Sequence, residues 1–168
     1  PGSPDLAARA RTLLAEAGID SAEDDKRGFD HGVFIPFMLV YPDADVPLTM
    51  ISLQNTLDVV SHVAIGKALA PLRDEDVLII ASGMSYHNMR MFRQAEPSHV
   101  QQAIRFDDWL TEAVAAPDRE ARAEVLSTWD QNPDALACHV PDHDHLVPLF
   151  VAAGAAGNDR GARIFTTT

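Results

Sequence analysis

The sequence predicts an α/β fold, a mainly parallel sheet flanked by helices. Two apolar runs, residues 46–53 ("VPLTMISL") and 77–82 ("VLIIAS"), have the length of strands and are apolar enough to be covered on both faces. A stretch of helical length, "LDVVSHVAIGKALAPL", separates them, and strands joined by such a crossover run parallel. Further helical stretches follow with no internal repeat and no low-complexity linker, so residues 1–168 read as a single domain.

The elements follow in order. "SPDLAARARTLLAEAG" is a helix capped by Ser3, with Pro4 in its first turn and Gly18 at its end. Leu6, Ala10, Leu13 and Leu14 share one of its faces. "IDSAEDDKRGFDHG" is polar and reads as a loop leading into a site. Asp58 caps the next helix, which breaks at Pro71, and "RDED" turns into the strand at 77–82. "SHVQQAIRFDDWLTEAVAA" and "DREARAEVLSTW" are helices separated at Pro117. "HLVPLFVAAGAAG" is a helix ending at Gly157, and "ARIF" is a last short strand.

Composition excludes several classes. Apolar residues make up 46% of the chain, enough for a buried core. The formal net charge is −12 and no run of Lys or Arg occurs, which argues against nucleic acid and anionic membranes as partners. No apolar run is long enough to span a bilayer, and "PGSPDLAARAR" lacks the apolar core of a signal peptide. The chain begins without Met, which implies processing or truncation. A single cysteine, Cys138, allows no disulfide framework and no CxxC zinc site, and a reducing cytoplasm is the simplest location. There is no GxSxG elbow and no Walker A motif.

The seven histidines are the candidate chemistry. In open α/β sheets, ligands sit beyond the carboxyl ends of strands, and His87 in "VLIIASGMSYHNMR" lies just past such an end. Gly83 allows a sharp turn there, and Ser82, Ser85 and Asn88 supply short polar groups. That placement suits a metal ligand or a catalytic base, against a plain loop histidine bonded to backbone. His31 in "GFDHGVFIP" lies between an acidic loop and an apolar segment, flanked by Gly28 and Gly32. In "CHVPDHDHLVPLF", His139, Asp142, His143, Asp144 and His145 either bind metal, as His-rich tracts can, or form a solvated helix start capped by Asp142 or Asp144; the helix start is the better reading for Asp142 and His143, whereas His145 abuts the apolar run and is expected to point inward. His62 is expected on a helix surface or in the core, His99 exposed behind a cap at Ser98, and Cys138 a buried or loop thiol.

"GFDHGVFIPFMLVYPDADVPLTMISLQ", "GKALAPLRDEDVLIIASGMSYHNMR", "FDDWLTEAV" and "HLVPLFVAAGAAG" together resemble the class III extradiol ring-cleavage dioxygenases, in their DOPA 4,5-dioxygenase-like branch. The resemblance implies a non-haem metal, Fe(II) first and Zn(II) as the alternative. It implies a catechol chelating that metal, O2 as co-substrate, and a ring cut beside the diol. His87 matches the histidine that the family assigns to the metal. His31 matches the "DHG" histidine, a second-sphere acid/base in relatives and a metal ligand in other assignments. His145 matches a histidine placed near the substrate. Met84 and Tyr86 stand where relatives often carry smaller residues.

Two departures accompany the match. The family supplies two further metal-binding histidines ahead of the "DHG" segment, and no histidine precedes His31 here. The family also continues past the "RIF" strand. The chain therefore reads as the C-terminal part of a larger extradiol dioxygenase-like domain, with a homo-oligomer or a complementing chain as a source of the missing ligands. A non-catalytic binding or scaffold module of the same fold is the alternative function. A metal-dependent hydrolase, using water in place of O2, is a third.

Overall fold

The computed structural model describes residues 1–91 and 96–166. The Ser3 hydroxyl accepts the Leu6 amide and starts α1 (Pro4–Glu16), as its position predicts. The segment before α1 is pinned by a parallel bridge, Gly2 to Leu48, and by the Thr49 hydroxyl donating to the Ser3 carbonyl at 2.9 Å. A second helix, α2 (His31–Val40), follows the polar loop. Asp58 caps α3 (Val59–Leu69) by accepting the Ser61 amide at 2.7 Å, and a 3-10 turn, Ala70–Asp74, carries the chain through Pro71. A two-residue strand β1 (His87–Asn88) precedes α4 (Pro97–Val114) and α5 (Arg119–Ser127), the latter capped by Asp118. A one-turn α6 (Ala135–Cys138) runs into β2 (His139–Val140), and α7 (Val147–Ala155) follows.

The architecture is α/β with a small parallel sheet. β1 and β2 pair in parallel, His87 opposite His139 and Asn88 opposite Val140. Two apolar clusters form the core. Val59, Val63, Phe106, Leu110, Leu126, Trp129, Val147 and Phe150 belong to the larger, and Leu13, Leu14, Ile65, Leu69 and Leu72 to the smaller. Both clusters meet on α3, so its apolar residues wrap the helix instead of forming one stripe.

The expected strands at 46–53, 77–82 and 162–165 do not form a ladder among the described residues. Among the described residues their only strand-like pairing is the single Gly2–Leu48 bridge. The 77–80 run keeps a period of two, but only one face is covered. Val77 and Ile79 pack against the smaller cluster, whereas Leu78 is 75% and Ile80 52% exposed. Coverage on both faces, inferred from apolar content, is corrected by that alternation. α2 was not anticipated. The run after His31 is apolar throughout, and none of its residues is buried.

Helix α3 packs on α7 more extensively than any other pair of elements. The crossing is closest at Gly66 and Gly154. A Cβ on Gly66 would run into the Val151 carbonyl oxygen, and one on Gly154 into that of Val63. Two arginines close the far end of α7. Arg122, 2% exposed, donates to the carbonyls of Gly157 and Asp159, and Arg73 donates to those of Ala155 and Ala156. Guanidinium charge there satisfies unpaired carbonyls and opposes the negative end of the helix dipole.

Because backbone cannot yield at the crossing, Gly66→Ala or Gly154→Ala should each lower stability by about 1–3 kcal/mol, a Tm drop of several degrees. Gly28→Ala, at a position with open space around it, should leave Tm nearly unchanged. Thermal denaturation of the three variants checks the contrast.

Candidate metal centre

The segment that follows residues 77–82 is brought to the start of α7 by backbone contact. The Met84 amide donates to the His145 carbonyl at 2.8 Å. A Cβ on Gly83 would collide with that same carbonyl oxygen, so glycine serves close approach here, not the sharp turn expected of it. The β1–β2 pair extends the stitching from His87 to His139.

Two histidine rings meet as a result. Those of His87 and His145 stack with centroids 3.5 Å apart and planes 13° from parallel. Asp144 joins them. Its Oδ1 accepts the His145 backbone amide at 2.8 Å and lies 2.6 Å from the ring Nδ1. A carboxylate oxygen only accepts, so Nδ1 carries the hydrogen and leaves Nε2 of a neutral His145 as a lone pair. One donor atom each from His87, Asp144 and His145 all lie within 4.8 Å of one another. Partial burial pushes the Asp144 carboxyl up. Hydrogen bonds with the His145 ring and amide, together with Asp142, outweigh it and hold the carboxyl below the ordinary carboxylate range.

His31 opens α2 on the exposed side of this group, its ring centroid 6.3 Å from that of His145. Beside His145 lies a cleft of about 370 Å³. Leu110, Val114, Leu146 and Leu149 give it an apolar lining, and Ser85, Asp107, Thr111 and Arg163 add polar groups. Arg163 is tied to Asp107 at 2.5 Å and to Asp108 at 2.9 Å.

The structure thus brings together His31, His87 and His145, the three histidines singled out from the sequence. It also adds Asp144, which the sequence leaves open between a metal-binding tract and a helix cap. The remaining histidines divide otherwise. His62 is fully buried, with Nδ1 donating to the Asp58 carbonyl at 2.6 Å and Nε2 accepting the Gln54 amide at 3.1 Å. His143 donates from Nε2 to the Leu57 carbonyl at 3.1 Å and packs on Trp129. His139 is 4% exposed. The expected solvated helix start is therefore corrected, because both His139 and His143 face inward against the aromatic core. His99 sits inside α4 as half of a capping box with Glu96, half-buried, not behind a cap at Ser98. Tyr86 is half-buried and packs against the larger cluster, its phenol pushed up by burial.

Comparison with known proteins places these residues in a family. The model of the catalytic LigB subunit of aromatic ring-opening dioxygenase matches residues 1–167. The chain belongs to the LigB family. It is 42% identical over 165 residues to the 4,5-DOPA dioxygenase extradiol of Beta vulgaris, a match covering 98% of this chain and 60% of that one. Against the protein of the same name from Escherichia coli (strain K12) identity is 30% over 156 residues, 92% of this chain and 56% of that one. The crystal structure of uncharacterized protein JW3007 from Escherichia coli K12 superposes with a TM-score of 0.76 at 28% identity, over 92% of this chain and 63% of that one. This LigB-family chain thus spans about three fifths of the length of the relatives it matches. No helix among the described residues is long and apolar enough to cross a membrane.

Cys138, beside this group in sequence, is fully buried, and burial pushes its thiol up to about 11. At pH 8 only about one thiol in a thousand would be ionised. Iodoacetamide should therefore label native Cys138 at least about a hundredfold more slowly than the denatured chain, as followed by intact mass.

Proposed function

We propose that this chain carries the metal centre of an extradiol ring-cleavage dioxygenase that opens a catecholic aromatic with O2. The convergence of His87, Asp144 and His145 supports the reading most. Two imidazoles and one carboxylate are the donor set of non-haem Fe(II) oxygenases, and they leave positions free. Fe(II) is the ion this set favours, and Zn(II) is the alternative. When bound, Fe(II) would supply Lewis acidity and redox chemistry toward the diol and O2, whereas Zn(II) would supply Lewis acidity alone.

The chain's own residues then have distinct duties. His87 and His145 would hold the ion through ring nitrogens. Asp144 fixes the tautomer of His145 and has a second oxygen to offer. His31, one ring away, takes a catechol hydroxyl proton onto a ring nitrogen and returns it after the ring opens. A neutral imidazole suits that duty near pH 7. The apolar lining of the cleft beside His145 holds the flat ring and keeps water from its faces.

We further propose that residues 1–168 are the C-terminal part of a larger dioxygenase domain, with a cytoplasmic location. The bare apolar surface of α2, with Leu39 82% exposed, supports a further segment or complementing chain that covers it. The same bare surface supports the competing reading, a binding module of this fold with an incomplete centre.

Incubating the purified protein with Fe(II), O2 and a panel of catechols should consume oxygen and give a yellow ring-opened product. His87→Ala should remove most bound metal and turnover. His31→Ala should keep metal within about twofold of wild type while turnover falls about 10²–10⁴-fold. Equal loss of metal in His31→Ala would make His31 a ligand. Stoichiometric metal with no oxygen uptake across the panel would reject the oxygenase, turnover without oxygen would indicate a hydrolase, and no bound metal would favour the module.

A further inference from the structure

Two histidine rings hold the turn that precedes α3. His62, fully buried, accepts the Gln54 amide on Nε2 and donates from Nδ1 to the Asp58 carbonyl, so both ends of the turn are fixed to α3. Across the turn, the Leu57 amide donates to the Gln54 carbonyl at 3.1 Å. Leu57 stands at φ 52°, a left-handed conformation that suits glycine or asparagine and is strained for leucine. Its side chain packs on the larger cluster. Its carbonyl accepts the His143 Nε2–H at 3.1 Å, and the His143 ring lies on Trp129 with centroids 4.7 Å apart.

His143 also starts α7. Its backbone carbonyl accepts the Leu146 and Val147 amides, at 2.9 and 3.3 Å, and no side chain caps the helix. Asp144 and His145 lie inside the single turn that those bonds close. We propose that His143 is a positioning residue: its ring, tied to the Leu57 turn, sets the place of Asp144 and His145 opposite His87. Strained backbone persists only where its surroundings over-determine it, and such sites gather where geometry serves function. Leu57 presents an acceptor that His62 and the core hold still, and the His143 ring carries that fixed point to the turn bearing the two donors. A ring kept for packing alone would need Trp129 but not a donor aimed at Leu57. The consequence for metal binding rests on the reading of His87, Asp144 and His145 as donors; the consequence for the stacked rings does not.

Proton and nitrogen-15 NMR of the imidazoles tests this in the metal-free protein at about pH 8, where neutral rings dominate. In wild type, His143 should be in the Nε2–H form, and stacking should move the ring C–H signals of His87 and His145 upfield of free imidazole. His143→Phe keeps an aromatic ring on Trp129 but removes the donor, so those signals should move toward the free position. Zn(II) affinity, measured by competition with a chelating dye, should fall about tenfold. His143→Gln, whose side-chain N–H can donate, should recover both. Leu14→Ala, a truncation in the smaller cluster, should lower Tm and leave both as in wild type. An Nδ1–H His143 in wild type would overturn the proposal even if His143→Phe did not fold. So would unmoved ring signals in a folded His143→Phe, a folded His143→Gln that behaves like His143→Phe, or an equal change in Leu14→Ala. Zinc held as tightly by folded His143→Phe as by wild type would sink the positioning and leave the metal reading standing. Ring signals that follow the donor, in a wild type that binds no zinc, would support the positioning and sink the metal reading.

Discussion

The site depends on one backbone contact, the Met84 amide on the His145 carbonyl, with Gly83 pressed against the same oxygen. His87 and His145 lie far apart in the chain, and only this approach brings their rings into contact. No side chain fits between the two backbones at that point. The parallel pairing of β1 and β2 repeats the approach a few residues on. A two-residue ladder is weak by itself. It holds here because Asn88, 7% exposed, donates to the Ala137 carbonyl at 2.7 Å and accepts the Arg90 and Met91 amides, tying the strand to α6 and to its own turn.

That contact is braced from the core side. α7 begins two residues after His145, and α7 is fixed on α3 through the glycine crossing and at its far end through Arg73 and Arg122. α4 and α6 are joined by a bidentate pair, Arg105 on both oxygens of Asp134, at 2.8 and 2.7 Å. Those hydrogen bonds hold the Asp134 carboxyl below the ordinary carboxylate range. A carboxyl depressed by folding stabilises the fold above its unfolded pKa and stops doing so as pH falls through its folded value. The support behind His139 therefore weakens in acid, below the usual carboxylate range, and not near neutrality.

Much of the fold was legible. Ser3, Asp58 and Pro117 marked helix boundaries because capping and proline effects act within one turn. The strands were less legible, because apolar content shows that a segment is buried or covered by something but not that a neighbour exists to share its hydrogen bonds. Among the residues of the candidate site, His31 was singled out by its flanking glycines, His87 by its place past an apolar run, His145 by the apolar run after it, and all three by family likeness. Asp144 could not be separated from a helix cap, since both uses call for an acid just ahead of an apolar run. His139 was hidden for a different reason. Its polar neighbours "PDHD" pointed to solvent, whereas the aromatic groups that enclose it, Phe106 and Trp129, come from distant elements.

α2 sets the remaining constraint. Its ten residues are nearly all apolar, yet none is buried, and Met38, Leu39 and Val40 are each at least 65% exposed. Burial of apolar surface is worth about 25 cal/mol per Å², so a helix that buries little gains little from its position. The histidine at its first turn inherits that freedom, because a side chain is held no more firmly than its backbone. His87 and His145 are seated on the core, but His31 is seated on a helix that the described residues leave uncovered. Whatever covers α2 would therefore fix the His31 ring at the same time as it removes apolar surface from water. Stability and the completeness of the site are coupled through that single helix.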